Sequence, residues 1–300
     1  MKRILIGILA FFALGALAQG DAPLDETRVT LRSHILKLIN RDRAIYGLPP
    51  VELDPHLSAL ADNYCREQIR NRTTGHFTLD GLAPYMRYSF AGVDDGISEN
   101  AAAWSANYRF TDRALYEMAR RSHDAMMAEA PPDDGHKKTI LDPNATHVGI
   151  GLAWERGEFR IVHEFIRKYV DWNRPLPREA KLDERVVARG AALPGAHVEA
   201  VTVHYEPAPE SMPAHVANAI ESYSLPDKRR DYLPRRRGEL QVSEDGRFTF
   251  SVPFTEGAGV YTVVVWVKRE GLAQPVPASN VSIRVEGTLQ SYSRASAAGR

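Results

Sequence analysis

The stretch "HVGIGLAWERGEFRIVHEFI", residues 147–166, decides the fold class of this sequence. Its apolar side chains recur at every second position on both sides of Gly157, at Val148, Ile150, Leu152, Trp154, Phe159, Ile161 and Phe165. A period of two residues predicts β-strands, and a glycine between them permits a tight turn. The stretch therefore predicts an antiparallel hairpin with a buried face.

Three segments before the hairpin have the apolar spacing of helices. The first stops before Gly47. The second starts at Asp54 and Pro55, an acid that can cap a helix followed by a proline that fits its first turn. The third runs from about residue 111 to residue 130 and ends at the proline pair 131–132. Helices followed by an antiparallel hairpin predict a mixed α/β (α+β) layer structure.

Beyond residue 169 the apolar pattern changes to short strands separated by Gly, Pro, Asp and Asn. The strand segments are "HVEAVTVHYEP", "GRFTFSVPF", "GVYTVVVWVKRE" and "SNVSIRV", and they predict an all-β sandwich of immunoglobulin or fibronectin type. The prolines of "DWNRPLPREA" predict a linker or an extended connection before this sandwich. The predicted organisation is a signal peptide at 1–18, an α/β domain at 24–170, a linker at 171–182, a β-sandwich at 183–288 and a flexible tail at 289–300.

The N-terminal stretch "MKRILIGILAFFALGALAQG" predicts export from the cell. Two cations precede an apolar run that is too short to span a membrane, and the run closes on a small-x-small cleavage pattern. We expect a secreted, periplasmic or cell-envelope protein with no membrane span after signal removal. Since the sequence holds one cysteine, Cys65, no intrachain disulfide can form. Cys65 lies on the apolar face of the second helix and is predicted to be a buried, inert thiol.

The charge composition excludes one class of partner and leaves another open. The sequence has 38 basic and 38 acidic residues, so it lacks the positive excess of nucleic-acid-binding proteins. Its densest basic run is "DKRRDYLPRRRGEL", residues 227–240. Two interpretations remain: a solvated loop, or an attachment site for an anionic cell-envelope polymer.

Four polar residues are candidates for a functional site, although each has an ordinary alternative. His76 lies in "TTGHFTLDG", and alone it is a loop residue. Glu99 in "GISENAAAW" could cap a helix, and Glu129, on the inward stripe of the third helix, could be a surface acid at the helix end. His136 in "PPDDGHKKTIL" could be a solvated loop imidazole. Periodicity alone does not unite them.

Two further histidines are predicted to be structural. His123 is placed on the flank of the third helix, where its neighbours are too local to form a catalytic triad. His163 follows the strand alternation of the hairpin, which predicts an imidazole at the edge of the core rather than a ligand.

Three ordered segments carry a family resemblance: "LINRDRAIYGLPPVELDPHLSALA", "GHFTLDGLAPYMRYSFAGVDDGISENAA" and "MMAEAPPDDGHKKTILDPNATHVGIGLAW". The sequence from about residue 28 to residue 170 resembles the CAP superfamily of cysteine-rich secretory proteins, antigen 5 and pathogenesis-related proteins, in its bacterial form. The resemblance implies an α-β-α sandwich with a large cleft. It also implies that two histidines and two glutamates line that cleft, at His76, Glu99, Glu129 and His136.

The sequence departs from the animal members of the family in two ways. Met126 and Met127 stand where the animal pattern has aromatic residues, and the disulfides are missing. In addition, Ser98 replaces the glycine before Glu99. The four site residues remain, so the resemblance still implies metal binding, whereas the aromatic ligand contacts of animal members are not implied.

The four residues permit two classes of function. Zn²⁺ or another divalent metal could bind through His76 and His136, with water in the remaining positions. The favoured hypothesis is a non-enzymatic recognition module for an extracellular small ligand, lipid, glycan or peptide, with the β-sandwich supplying attachment. The alternative is a metal-dependent hydrolase or peptidase in which Glu99 or Glu129 acts as general base.

Overall fold

The computed structural model describes residues 26–234, 238–272 and 274–287. The predicted signal peptide at 1–18 lies outside the described residues, and so does the predicted flexible tail at 289–300. Residues 235–237 of the basic run also lie outside them.

The first unit consists of five helices around one sheet. Its helices are α1 (Glu26–Ile45), α2 (Pro55–Asn71), α3 (Pro84–Phe90), α4 (Asp112–Ala128) and α5 (Gly135–Ile140). Its strands are β1 (Glu52–Leu53), β2 (Gly96–Ser105), β3 (His147–Glu155) and β4 (Glu158–Arg167), in the sheet order β1-β3-β4-β2. The predicted hairpin is confirmed as β3 and β4, with Gly157 between them in a left-handed conformation (φ +87°).

Helix starts follow the capping signals of the sequence. The Asp54 carboxylate accepts a hydrogen bond from the Leu57 amide at 2.9 Å, which satisfies one of the unpaired N–H groups of the first turn of α2. The Thr111 hydroxyl accepts from the Ala114 amide at 3.3 Å at the start of α4. The prediction of where α2 and α4 begin is therefore confirmed, and α4 ends two residues before the predicted end.

Both faces of the sheet are buried, whereas the alternation predicted one buried face. On one face, Phe159, Ile161 and Phe165 of β4 pack in a cluster with side chains of α1, α4 and α5. On the other face, Val162 and Ile166 pack against α2 and α3. Successive residues of a strand point to opposite faces, so β4 contributes to apolar clusters on both faces of the sheet. This is the predicted α-β-α arrangement.

Two glycines of β3 let α2 approach the sheet closely. A Cβ added at Gly149 would lie 2.5 Å from Leu57 Cγ, and one at Gly151 would lie 2.5 Å from the Ala61 backbone. Since Leu57 and Ala61 are one helical turn apart, the two glycines accommodate successive turns of α2.

In its described residues, the second unit is a β-sandwich with one short helix, α6 (Ala214–Ala217). Its first sheet has the order β10-β11-β7-β5, and its second has the order β6-β14-β12-β8-β9 with β13 paired to β12. The strands are β5 (Val170–Trp172), β6 (Glu179–Lys181), β7 (Val186–Ala192), β8 (Ala196–Glu206), β9 (Arg229–Tyr232), β10 (Leu240–Val242), β11 (Arg247–Val252), β12 (Gly259–Arg269), β13 (Val276–Pro277) and β14 (Val281–Glu286).

One apolar cluster fills the space between the two sheets of the sandwich. Phe248 and Phe250 reach it from the first sheet, and Val263, Val265 and Ile283 reach it from the second. The β-sandwich predicted from the period of two residues is confirmed. Within the predicted linker range, β5 and β6 pair with sandwich strands β7 and β14.

The two units are joined near β14 by a seam of hydrogen bonds, each donated by a backbone amide. The Gly96 amide donates to the Ala278 carbonyl at 3.0 Å, and the Ser282 amide donates to the Ser89 hydroxyl at 2.8 Å. The Ile97 amide donates to Asn280 Oδ1 at 3.0 Å. Strand β2, which carries Glu99, is therefore fixed at its beginning by the second unit.

Among the described residues, no helix combines the length and the apolar character that crossing a membrane requires.

Candidate functional site

His76 and Glu99 form a buried pair on the α2–α3 side of the sheet. His76 lies in the loop after α2, and its Nδ1 is 2.8 Å from Glu99 Oε1. Because a carboxylate only accepts hydrogen bonds, Nδ1 is the donor in this contact. Glu99 lies in strand β2, so the alternative in which it caps a helix is wrong.

Arg87 of α3 holds this pair in place. Its guanidinium donates to the second oxygen of Glu99, and its Nη1 donates to the His76 carbonyl at 2.8 Å. The guanidinium also stacks on the Tyr64 ring, 3.5 Å from the ring centroid. Arg87 thus fixes both the histidine backbone and the carboxylate that orients the imidazole.

A second carboxylate, Glu164 of β4, shares this enclosed space. It is the register partner of Glu99, and its Oε1 lies 3.9 Å from Arg87 Nη2. Burial and the negative charge of Glu99 raise the pKa of Glu164 well above its usual range. Burial also raises the pKa of Glu99, but Arg87 and His76 outweigh it, so that pKa lies below its usual value. Glu99 is therefore the ionised member and Glu164 the neutral one.

His136 and Glu129 form the second pair. Glu129 follows the last residue of α4, and its carboxylate accepts from Nδ1 of His136. It also accepts from the backbone amides of His136 and Lys137, at 2.9 and 3.3 Å. The His136 side chain is 37% exposed, compared with 11% for His76. In both pairs a glutamate carboxylate contacts Nδ1 of a histidine, but only the second pair is open to solvent.

The two pairs lie on opposite faces of the edge strand β2. Glu99 points towards α2 and α3, whereas the next residue, Asn100, donates to the His136 carbonyl at 2.9 Å on the other face. Among the described residues, no group of three or more His, Cys, Asp or Glu side chains could hold a metal ion. The side chains present therefore do not fit a resident metal with three or more protein ligands.

The sequence predicts His123 on the flank of the third helix, whereas the structure places it among the buried residues of α4. The side chain is completely buried, and its Nε2 is 2.7 Å from Asp42 Oδ2 of α1. Asp42 lies more than eighty positions earlier in the chain, so the local sequence around His123 does not reveal the contact.

His163 is a core residue, as predicted from the strand alternation, although it is completely buried rather than at the edge. Neither of its ring nitrogens has a hydrogen-bond partner among the described residues. Burial, followed by the nearby His123 and His136, lowers its pKa to about 3. The thiol of Cys65 is also completely buried, as predicted, and burial raises its pKa.

Two residues of the site were missed from the sequence. Glu164 is an acid inside the apolar strand "FRIVHEFIR", and that isolation is the signal that could have found it. Tyr223 of the second unit accepts a hydrogen bond from the Glu99 amide at 2.7 Å. Nothing in the sequence around Tyr223 connects it with the first unit.

Part of the first unit matches a protein-family model. Residues 36–162 match the model of CAP, described as the cysteine-rich secretory protein family. This range includes all four predicted site residues and also Arg87. No curated protein sequence matches the chain.

Three bacterial structures are similar to part of the chain. An outer surface protein of Borrelia burgdorferi is 18% identical with a TM-score of 0.38, and the match covers 46% of this chain and 92% of that one. An extracellular protein of Bacillus anthracis that contains an SCP domain is 19% identical with a TM-score of 0.36, covering 50% of this chain and 45% of that one. A cysteine-rich secretory protein of Staphylococcus aureus is 19% identical with a TM-score of 0.33, covering 49% and 40%. The present chain thus spans less than half the length of the last two proteins.

Proposed function

Starting from the CAP domain that residues 36–162 form, we propose that the protein is an exported, non-enzymatic binding module. Its binding site for an extracellular ligand is the pair of His136 and Glu129, together with the surface of α5 beside it. The observation that carries this proposal is that both glutamates accept internal hydrogen bonds on both carboxylate oxygens, while the His136 side chain stays 37% exposed.

The occupied carboxylates argue against hydrolysis. A general base must be free to accept a proton from water. Glu99 is 4% exposed, is bound on both oxygens by His76 and Arg87, and has a lowered pKa, all of which make it a poor base. Glu129 accepts from one imidazole and two backbone amides. A proton taken up by either carboxylate would break contacts that hold the site together.

The surface beside His136 suits a ligand that combines apolar and anionic groups. A groove next to α5 has basic and apolar lining residues, among them Lys137, Lys138, Arg167, Leu141 and Val276. Lys138 pairs with Asp134 and Arg167 pairs with Asp142, whereas Lys137 has no salt-bridge partner among the described residues. We therefore propose that Lys137 contacts an acidic group of the lipid, glycan or peptide ligand.

Binding of Zn²⁺ or another divalent ion is part of the proposal in a limited form. The glutamates orient His76 and His136 through Nδ1, in the way carboxylates commonly orient metal-binding histidines, so Nε2 is the atom offered to an ion. With one imidazole per face of β2, we propose weak and exchangeable binding at His136, in which water or the ligand completes the coordination.

Titration of the full chain with ZnCl₂, followed by calorimetry, tests the metal part. We expect saturable binding that His136→Ala abolishes and that His197→Ala, a change at an exposed histidine of the second unit, leaves intact. Equal binding by both variants would disprove a site at His136. The same protein is incubated with a peptide library, with and without chelator. Chelator-sensitive cleavage that is lost in Glu129→Gln would establish the hydrolase and overturn the binding module.

Attachment to an anionic envelope polymer is a separate part of the proposal. The described cations of the basic run form surface ion pairs: Lys228 with Glu256, Arg229 with Asp231 and Arg230 with Glu239. Exposed pairs of this kind contribute little and exchange readily with other anions. We expect retention on a column of immobilised teichoic acid at low salt and release as ionic strength rises. Flow-through at low salt would exclude the attachment.

A further inference from the structure

Residues 207–225, which form most of the connection between β8 and β9, leave the sandwich and lie on the first unit. We call this stretch the covering segment. The Met212 amide donates to the Leu79 carbonyl at 2.7 Å. The Asn218 side chain accepts from the Thr74 amide at 2.9 Å and donates to the Arg72 carbonyl at 3.0 Å. These three contacts lie along the loop that carries His76.

Tyr223 brings the covering segment onto the His76–Glu99 pair. Its hydroxyl accepts from the Glu99 amide at 2.7 Å, and its ring centroid lies 5.0 Å from that of His76 in an edge-on arrangement. The ring also lies 6.5 Å from Tyr85 of α3, and it packs with Leu225 against the apolar cluster of that helix. Tyr223 therefore contacts both members of the pair.

The loop that carries His76 packs closely against the covering segment. A Cβ added at Gly81 would lie 2.6 Å from the Glu210 carbonyl oxygen, and one at Gly75 would lie 3.3 Å from that of Ala217. Gly81 also has a φ of +82°, which disfavours other residues. The backbone of one unit is thus fitted closely to the backbone of the other along the entrance to His76.

We propose that the covering segment is the specificity-determining wall of the site: it closes the His76 side with Tyr223, so external ligands contact His136 and not His76. The closure concerns access to His76 and stands on the contacts above. Its effect on ligand choice rests on the proposed function, because only a binding module has a ligand to restrict. A ligand that is to contact His76 must first displace the chain's own Tyr223.

Diethyl pyrocarbonate, which modifies accessible imidazoles, tests the closure on the full chain. Peptide mass spectrometry follows the rate at each histidine separately. In the wild type we expect His136 to react and His76 to react at least tenfold more slowly. Tyr223→Ala is expected to raise the rate at His76 at least tenfold. The matched control Tyr223→Phe keeps the ring over His76 and is expected to keep the protection.

The completely buried His123 and His163 report unfolding in the same experiment. A rate increase at His76 counts as support when those two stay unmodified. If Tyr223→Ala unfolds the protein, Asn218→Ala replaces it, because this change removes the anchors to Thr74 and Arg72 while Tyr223 stays. We expect faster modification of His76 in that variant as well.

The proposal is overturned if His76 reacts as fast as His136 in the wild type, or if a folded variant without the Tyr223 or Asn218 anchor leaves the rate at His76 unchanged. Protection of His136 by added ZnCl₂ is measured in parallel. If ZnCl₂ does not protect His136, the proposed metal binding is contradicted, but the result for the covering segment is unaffected. Failure of the metal site and failure of the closure over His76 can therefore be told apart.

Discussion

Glu99 and Glu164 lie directly opposite each other on β2 and β4, and the Arg87 guanidinium approaches both carboxylates. Two acids enclosed with one guanidinium cannot both be ionised at low cost, because burial strengthens their repulsion. The arrangement stabilises Glu99 as the carboxylate that orients His76 and keeps Glu164 protonated. Variants at Arg87 and at Glu164 test whether Glu99 is ionised and Glu164 is protonated.

Removal of the Arg87 charge is expected to destabilise the first unit strongly. In Arg87→Met the Glu99 carboxylate loses its buried counterion, and such a loss typically costs about 3–5 kcal/mol of unfolding free energy. Urea denaturation measures the change. Arg70→Met, at an exposed position of α2, is the matched control and is expected to stay within about 0.5 kcal/mol of the wild type. Similar stabilities of the two variants would show that Arg87 does not neutralise the buried acids.

Glu164→Gln is expected to gain stability relative to the wild type as the pH rises. The pKa of Glu164 is raised in the folded state, so the folded chain keeps a proton that the unfolded chain releases above its ordinary pKa of 4.5. This contribution to wild-type stability is complete below pH 4.5 and is lost progressively as pH rises, by at most about 1.4 kcal/mol per unit. A glutamine does not titrate, so the unfolding free energy of the variant lacks this decrease with pH.

Urea denaturation at pH 4, 6 and 8 checks the pH dependence of Glu164→Gln. The difference in unfolding free energy between variant and wild type should shift in favour of the variant with each step. Glu199→Gln, at an exposed position of β8, serves as control and should follow the wild type. Parallel curves for Glu164→Gln and wild type would contradict a protonated Glu164.

His163→Phe is expected to reduce the loss of folding stability at acidic pH. The pKa of His163 is about 3 in the folded protein, whereas the unfolded chain takes up a proton near 6.5. Wild-type stability therefore falls as pH drops from 6.5 towards 3, by at most about 1.4 kcal/mol per unit. Phenylalanine also removes two buried nitrogens without partners among the described residues, so we expect the variant to match or exceed the wild type at pH 7.

Thermal or urea unfolding at pH 7 and pH 4.5 compares His163→Phe with His197→Phe, a change at an exposed histidine. The advantage of His163→Phe over the wild type should be larger at pH 4.5. An equal difference at both pH values would mean that His163 takes up its proton without unfolding.

Gly151→Ala is expected to push α2 away from the sheet. The added Cβ would lie 2.5 Å from the Ala61 backbone, which cannot move without shifting the helix. Overpacking of this kind costs about 1–3 kcal/mol of unfolding free energy. Gly135→Ala has nothing within 4 Å of the added Cβ and should change stability by less than about 0.5 kcal/mol. Equal stability of the two variants would contradict the close packing of α2 on β3.

Local patterns predicted most of the fold. Asp54 and Pro55 mark the start of α2, and the alternation around Gly157 predicts the β3–β4 hairpin, because these features depend on neighbours within a few residues. The period of two residues in the second half also predicts the β-sandwich correctly. Family resemblance rather than periodicity united the four site residues.

The rest of the site depends on contacts that no local pattern records. The register of β2 with β4 sets Glu99 opposite Glu164 and sends Asn100 to the other face, so the four predicted residues form two pairs. Tyr223 reaches Glu99 from 124 positions further along the chain. The packing of two units decides that contact, and the sequence around Tyr223 carries no signal of it.

The position of β14 has a consequence for the order in which the molecule is completed. This strand follows all other described strands in the chain, yet it lies between β6 and β12 inside its sheet, and residues 278–282 form the seam with the first unit. During synthesis, every described helix of the first unit is complete before β14, an internal strand of the second unit, has been made. The contacts that residues 278–282 make with the first unit can therefore form only after almost all of the described chain has been synthesised.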